Sequence, residues 1–530
     1  MNNPHVIDAL IVGAGPTGAA LAIDLVRRGC DVRIIDRSPH AFDGSRAKGL
    51  QPRSLEVLED LGVLDDVLAG GSTYPKLGLH AGPLAVPWKM FPHKEATADV
   101  PYPNTWLIPQ FRTDRALRAR LSRLGREVES GRELTELTQG EDTVVARVAG
   151  TDGTQDIVAR YVVGADGGSS AVRKQLGVGF VGTTHESDRM LIVDASVTGL
   201  ARNWWHMWRG PGGGFIGACP LPHSDLFQWM IRLAPNEEPP SKGDEIVRRI
   251  HDHTRDRRIQ LHDIHWTSVF RPNIRLAESY RRGRVFLAGD AAHVHTPAGA
   301  QGLNTGLQDG YNLGWKLAQV LAGADGTLLD TYEAERQPIA AGVLGLSTAK
   351  WAGIAKLDPS SMKRGKDEQQ LSLTYYGGPL APVHGMRTST LRVGDRAPDA
   401  ELLSADRVAT RLFDIFRGPH FTAIAYGPEA ARSLGQLAWP TAGAPLERLT
   451  VGTAAADALT FSDSANTLRR AYGLKGDTLL LIRPDGYIGH IATTNFLTTA
   501  QSAARAMTPW ARSRTMSQPP HVAPAREATA

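Results

Sequence analysis

The segment FLAGDAAHVHTPAGAQGLNTGLQD, residues 286–309, sets one carboxylate, two histidines, a proline and several glycines between an apolar strand and a helix. An acid and free backbone at a strand end suit a large, flat, anionic ligand that lies against bare main chain. Asp290 sits where ligands collect in open α/β sheets. Gly299, Gly302 and Gly306 leave room for a ring system on the backbone. The helix that begins near Gly302 aims its positive end at such a ring, a contribution of about 0.3–1 kcal/mol and about 2 when partly buried. A carboxylate repels an anionic ring, so Asp290 suits the hydroxyls of an attached sugar chain instead.

A second cluster, GAGPTG, supplies Gly13, Gly15 and Gly18. The first glycine makes a tight turn, the second admits a pyrophosphate, and the third lets helix and strand pack closely. The helix that follows offers free N–H groups and a positive dipole end to phosphates. Asp36 ends the next strand, 18 residues after Gly18, where an acid bonds an adenosine ribose. Strand, helix and acid together indicate dinucleotide binding. This motif does not separate NAD from FAD. The 286–309 segment does, because a reduced flavin carries negative charge around its N1 and O2 atoms, which the helix end stabilises.

Other clusters have plainer readings. GPGGG (210–214) follows WWHMWR and leads into another strand, so it reads as a hairpin turn. His293 and His295 lack an acid or thiol at metal-ligand spacing and read as structural, one of them near the flavin as the alternative; no metal is expected. Trp204, Trp205, Trp208, Phe215, Phe227 and Trp229 are dense for one sheet. On LFQWMIRL, Phe227, Trp229 and Ile231 alternate with Gln228, Met230 and Arg232, and one of the two faces is expected to line a substrate pocket. His206, Trp208, Phe215, Phe227 and Trp229 are the pocket candidates, with His206 a phenol contact or a satisfied histidine.

The elements that position these residues follow from periodicity. Val6 to Val12 is a buried strand, Thr17 to Arg28 a helix and Asp31 to Asp36 a second strand, a βαβ unit. Ala47 to Leu68 reads as one helix, and 72–108 as irregular. A helix over Thr113–Leu124 precedes strands near Thr143–Val148 and Asp156–Val163. Residues 190–269 read as an antiparallel sheet crossed by a helix at Gly243–Thr254. Strand 285–290 and a long helix from about Gly302 to Leu321 return to the first style. A new start lies at 391–403, and LIRPDGYIGHI (481–491) reads as a hairpin turning at Asp-Gly. The last residues read as a disordered tail.

With 530 residues, two or three domains are expected. Composition, 42% hydrophobic and 22% charged, is that of a globular protein, and a net charge of +4 without a basic cluster argues against nucleic acid. Two cysteines, Cys30 and Cys219, exclude a disulfide framework and fit a reducing cytoplasm. The N-terminal run has no basic region before it and does not read as a signal peptide. No stretch reaches the roughly 18 apolar residues of a membrane span.

GAGPTG with Asp36, GADGGSSAVR (164–173) and RVFLAGDAAHVHTPAGAQGLNTGLQD (284–309) resemble the three signatures of class A flavoprotein monooxygenases, the aromatic hydroxylases of the para-hydroxybenzoate hydroxylase type. YEAERQP (332–338) is similar to the helix that closes that domain. The resemblance covers about residues 6–340. It implies that Gly13, Gly15, Gly18, Asp36 and Arg37 hold the adenosine half of FAD, that Arg46 lies near the pyrophosphate, and that Gln110 contacts the cofactor. It implies that Asp166 helps order FAD and nicotinamide, that Asp290 binds the ribityl chain, that Pro297 lies beside the flavin, and that Gly302, Leu303 and Asn304 meet its pyrimidine edge. The extension from about 391 resembles the thioredoxin-like domain of the longer branch, which includes phenol, hydroxyphenylpropionate and aromatic polyketide hydroxylases. With no cysteine after Cys219 it cannot run dithiol chemistry, and it reads as a packing or dimerisation element.

The implied architecture is an α/β fold. A Rossmann-like FAD-binding domain (1–75, 105–180 and 275–390) carries an inserted mixed or antiparallel β-sheet substrate domain (76–104 and 181–274), followed by a thioredoxin-like domain (391–511) and the tail (512–530). The implied reaction is aromatic hydroxylation. NADPH or NADH, a transient co-substrate, reduces FAD; O2 then forms a 4a-hydroperoxide that a phenolic or polyketide-like ring attacks, and no protein nucleophile is required. The alternatives are Baeyer–Villiger or epoxidising chemistry, a flavin reductase, and a flavin-binding protein without oxygenase activity.

Overall fold

Val6–Val12 becomes buried on both faces toward its C-terminal end, as a central parallel strand must. It pairs in parallel with Val32–Asp36 on one side and with the end of Gly153–Gly164 on the other. Val285–Leu287 adds in parallel beyond Gly153–Gly164, so the GAGPTG turn, the 164–173 segment and Asp290 all leave the same edge of one sheet. The computed structural model describes residues 5–81, 84–88, 92–185, 188–210, 214–240, 242–296, 299–355, 365–383, 385–455 and 457–510.

Two helices cover this sheet at the motif, α1 (Pro16–Val26) and, much later in the chain, the 20-residue helix Gly302–Leu321. Their close approach is set by glycines on the later helix. A Cβ at Gly310 would come within 2.8 Å of the Thr17 carbonyl, and one at Gly306 within 3.1 Å of the Gly289 Cα. Gly306 is therefore a packing residue, not part of a ring cradle as its motif suggested.

Between them, the single helix expected over 47–68 is broken. Gly49–Leu50 is a short strand, followed by α2 (Pro52–Asp60), with proline in its first turn, and α3 (Leu64–Gly70). Gly62, at φ +70°, turns the chain where the leucine spacing alone ran on. Helix α4 (Gln110–Arg123) packs against α1, and the short α5 (Ala171–Gln175) follows the 164–173 segment.

Lys76–Ala81 and Leu84–Trp88, in the stretch that read as irregular, join Trp204–Arg209, Phe215–Pro220, Leu226–Arg232, Met190–Thr198 and Gln260–Phe270 in a second sheet. Helix α6 (Gly243–Thr254) buries Ile246 and Ile250 against one face of it, together with Val193, Trp208, Ile216, Phe227, Trp229 and Ile231. Gly210 N–H donates to the Gly214 carbonyl at 2.8 Å, closing the turn expected there; residues 211–213 lie outside the described residues.

After the later helix, now α7 (Gly302–Leu321), comes α8 (Asp330–Ala355). The C-terminal region then folds around Phe421–Tyr426, which pairs in parallel with Leu446–Val451 and antiparallel with Thr478–Ile482; the hairpin to Ile488–Ala492 turns at Gly486, φ +74°. Helices Pro428–Gln436, Thr467–Tyr472 and Phe496–Met507 alternate with these strands. The expected tail, 512–530, lies outside the described residues.

Candidate active site

The glycines of the first motif have three distinct surroundings. Gly13 holds φ +104°, and a side chain there would run into the Ala165 carbonyl. A Cβ on Gly18 would strike the Gly13 carbonyl. A Cβ on Gly15 would meet nothing within 4 Å, so the second glycine faces open space at the start of α1. No side chain caps that helix start, which leaves its N–H groups for a ligand. Asp36 braces the turn: Oδ2 accepts from Ala14 N–H at 2.8 Å and Oδ1 from Ser38 N–H at 2.9 Å, and each oxygen keeps a further lone pair. Arg37 is exposed beside it.

Across the cleft, Val285–Leu287 gives way to a 3₁₀ turn, Gly289–Ala291, so Asp290 sits on a turn and not on the strand end expected. Its side chain is exposed, yet enough protein crowds it that desolvation raises its carboxyl from the ordinary value, against the pull of His293 and Arg46. Behind it, buried Asp309 accepts from Gly289 N–H (3.0 Å), His293 Nε2 (2.7 Å) and Arg336 Nε (2.7 Å), which fixes the turn. Asp309 and Arg336 were not singled out in the sequence, although both lie within the quoted motifs. The neighbouring ring of His295 stands 6.1 Å from that of His293, and burial takes it down to about 4, so it is neutral.

The start of α7 also lacks a side-chain cap and has no acid in its first turn. Asn304 staples it to the 49–51 strand end: Nδ2 donates to the Gly49 and Ala300 carbonyls (2.8 and 2.7 Å) and Oδ1 accepts from Gln51 N–H (2.8 Å). Ala300 is held at φ +53°, and Gln51 and Gln301 both donate to the Gly299 carbonyl at 2.9 Å. This buried amide network escaped the sequence reading. Leu303 is partly buried against the main core. A Cβ on Gly302 would touch His295 at 3.0 Å. Pro297 lies outside the described residues.

Arg46 is exposed and stands 5.8 Å from the Phe42 ring centre. Gln110, at the start of α4, accepts from Ala47 N–H at 3.3 Å and reaches Asp114 at 3.5 Å. Burial pushes Asp114 up to about 7. Asp166 is consumed locally: it accepts from Ser170 Oγ (2.6 Å) and from Ala171 and Val172 N–H (2.6 and 3.2 Å), holding the start of α5.

The second sheet approaches through the opposite face to α6. Gln228 Nε2 donates to the Ser45 carbonyl at 2.6 Å, Asp194 accepts from Ser45 N–H (2.8 Å) and Oγ (2.5 Å), and Lys48 Nζ donates to Gln228 Oε1. Trp205, Met207, Phe215 and Met230 on this face are half-exposed. Of the five pocket candidates only Phe215 lies here. His206, Trp208, Phe227 and Trp229 are buried on the α6 side, because the alternation that groups them also turns them to that helix. Both ring nitrogens of His206 are engaged, by Ala201 O (2.7 Å) and His80 Nε2 (2.8 Å).

The open side of Gly15, the exposed Asp290 and the uncapped start of α7 thus outline a candidate cleft along one edge of the first sheet, tied to the half-exposed face of the second by the 44–51 segment. Its uncapped helix starts and open Gly15 fit the negative groups of an FAD molecule. The family model described as "FAD binding domain" matches residues 6–347. A flavin-dependent monooxygenase of Mycobacteroides abscessus is 40% identical over 489 residues, covering 91% of this chain and 96% of that protein. The 12-dehydrotetracycline 5-monooxygenase/anhydrotetracycline 6-monooxygenase of Streptomyces rimosus is 34% identical over 513 residues, covering 91% and 94%. Among solved structures, aklavinone-11 hydroxylase in complex with FAD and aklavinone superposes with a TM-score of 0.79 at 27% identity, covering 96% of this chain and 99% of that one. The chain belongs to the class A FAD-dependent monooxygenases, in the family of aromatic and polyketide hydroxylases.

Proposed function

We propose that this protein hydroxylates a phenolic or polyketide-like aromatic ring placed between the start of α7 and the half-exposed face of the second sheet. The observation that carries this reading is the 44–51 segment. Its one end is stapled to α7 through Asn304 and its other to the sheet through Ser45, so ring site and sheet share one wall. FAD held in the cleft would supply the redox chemistry, with NAD(P)H as the reductant, one atom of O2 going to the ring and the other to water. The chain's own part is to hold and shield. Gly15 and the starts of α1 and α7 would take the negative groups, Asp290 the ribityl hydroxyls, and Asp36 the ribose. Trp205, Met207, Phe215 and Met230 offer a flat, adaptable apolar wall that excludes water.

The parallel and antiparallel strand order of the C-terminal region, with Pro428–Gln436 linking its central parallel pair and Phe496–Met507 following its hairpin, supports reading 391–511 as a thioredoxin-like domain. The sheets support the domain division given above. A homodimer is part of this reading, supported by the apolar edge strand Leu84–Trp88 with Leu84 and Val86 exposed, and light scattering on the purified protein measures it. Free Cys30 and Cys219 support a cytoplasmic location; among the described residues no helix is long and apolar enough to cross a membrane.

The test is turnover. NAD(P)H oxidation should be slow alone and rise with the right aromatic ligand, with label from ¹⁸O2 in the product and peroxide accounting for the remainder. Fast oxidation that needs no aromatic, with no label in any product across a broad panel, would replace this reading with a reductase or oxidase.

A further inference from the structure

Lys48 stands at the junction of the ring site and the sheet, and its side chain has an incomplete set of partners. Its backbone is fixed. The Tyr74 hydroxyl donates to its carbonyl at 3.0 Å, and the next residue, Gly49, accepts from Asn304 and lies so close to the α7 loop that a Cβ would come within 3.0 Å of Ala300 Cβ. From there the side chain crosses to the open face of the sheet. Its ammonium donates to Gln228 Oε1 and stands 4.6 Å from the Trp205 ring centre. An ammonium has three N–H donors. Gln228 takes one and the Trp205 face satisfies a second electrostatically. No carboxylate lies within ion-pair distance of it among the described residues. The titratable groups that act on it are Asp194 and Cys219, from two strands of the same face. Asp194 has both oxygens turned to Ser45, and Cys219 is fully buried. Lys48 as a whole is partly exposed, and burial of its ammonium pulls it below the usual lysine value. A cation in such a place gains from an anion delivered by a ligand. A second donor of the same wall, Trp205 Nε1, lies against Gly217 and is buried with no acceptor.

We propose that Lys48 seats an acidic oxygen of the substrate, an ionised phenol or the enolate of a 1,3-dicarbonyl, and so selects rings that carry one. This rests on the hydroxylase reading and names the substrate feature that reading leaves open. The seat works by charge. The phenol O–H gives its proton to solvent, the oxygen keeps the electron pair, and the lysine stays protonated against it. The ionised oxygen raises electron density at its ortho and para carbons, where an electrophilic oxygen atom is accepted. Gln228 is a positioning residue that holds the ammonium on the cleft side of the sheet.

The probe is alizarin, a polycyclic phenol whose ionisation shifts its absorbance to wavelengths longer than those of oxidised flavin, compared with alizarin dimethyl ether, which cannot ionise. Both are titrated into the FAD-loaded, oxidised full chain. Wild type should bind alizarin at least about tenfold more tightly than the ether, and bound alizarin should ionise about one pH unit or more below free alizarin. Lys48→Met and Lys48→Gln should lose the shift and the preference; Lys48→Arg should keep both, which a merely structural tether would not require. Equal binding of the two probes by wild type, or an unchanged shift in an FAD-retaining Lys48→Met, overturns the seat. ¹⁸O2 incorporation, measured in parallel on phenols and their methyl ethers, tests the parent reading separately. Equal labelling of both upholds the hydroxylase and overturns the seat. No labelling, with the alizarin shift intact, overturns the hydroxylase and upholds the anion seat.

Discussion

Burial penalises the charge on both Asp290 and Asp114, but Asp290 is exposed while Asp114 is buried within the fold. Asp290 reaches into the cleft from a turn that Asp309, His293 and Arg336 fix from behind, so Asp290→Ala leaves no hole in a core. It removes a charged acceptor for ligand hydroxyls, worth about 1.5–3 kcal/mol. FAD affinity, followed by flavin fluorescence, should fall about 10- to 150-fold with the fold unchanged; an unchanged affinity would mean that the ribityl chain lies elsewhere. Asp114 is buried on α4, one oxygen has no partner, and its folded value of about 7 lies above the ordinary 3.8 because burial penalises the charge. Between those two values the folded state holds a proton the unfolded state has released, so stability falls as pH rises from about 4 to 7 and stays low above that. Asp114→Asn should therefore stabilise the protein by at least about 1 kcal/mol at pH 8 and little at pH 4. Melting curves whose gap does not widen with pH count against it. The turn at Gly13 and the close packing at Gly18 were legible in the sequence because turn geometry and helix starts are local, whereas Gly306 turned out to pack helix against turn. Lys48 was not legible, since its role depends on which sheet face meets the 44–51 segment.

Among the elements, α7 carries two loads. Its first turn faces the proposed ring site, and its later turns enter the C-terminal region. Lys316 donates to Glu335 of α8 at 2.7 Å, and Arg483, from the 482–488 hairpin turn, makes two bonds to the same carboxylate at 2.7 and 2.9 Å and another to Asp485 at 2.5 Å. All four side chains are buried. Burial opposes the Glu335 charge, but Arg483 and Lys316 overcome it and hold the carboxyl down to about 2, below its ordinary 4.5. Its stabilisation is present above pH 4.5 and is lost as pH falls toward 2. Glu335→Gln leaves two cations facing one neutral group and should cost about 3–5 kcal/mol. The double change Glu335→Leu with Lys316→Met removes a charge of each sign and leaves Arg483 its Asp485, so it should cost less than the single change. Thermal melts at pH 7 compare the two, and a double variant less stable than Glu335→Gln alone would show that the pairs hold the helices by more than charge balance. In the sequence Asp485-Gly486 read correctly as a hairpin turn, but a turn signal says nothing about what the turn is pressed against.

At the scale of the whole molecule, the C-terminal region is built into the cofactor-binding part. Trp315 of α7 lies in the core of that region, 5.7 Å from the Phe421 ring. Arg396 binds Glu56 at 2.8 and 2.5 Å, Arg411 binds Glu59 at 3.1 and 3.2 Å, and Gly418 N–H donates to Asp60 at 2.8 Å, so α2 presents its acids to the same partner. Arg53 of α2 closes the contact on the Asp485 carbonyl at 2.6 Å. The sequence suggested a new start near 391, and the lack of cysteine set dithiol chemistry aside, but the weight of this interface comes from pairs more than 100 residues apart that no local pattern reveals. Truncation after Thr390 should therefore do more than change assembly. It would expose Trp315 to water and take Arg483 from Glu335, Arg396 from Glu56 and Arg411 from Glu59 at once. Breaking even one buried pair costs about 3–5 kcal/mol, comparable to much of the 5–15 kcal/mol stability of a typical domain. The 1–390 chain should aggregate or emerge without bound FAD, and α7, which serves both regions, is the reason loss of one should empty the other. A soluble 1–390 protein that keeps FAD and shows native near-UV circular dichroism would prove the two regions separable and confine the role of the C-terminal one to assembly.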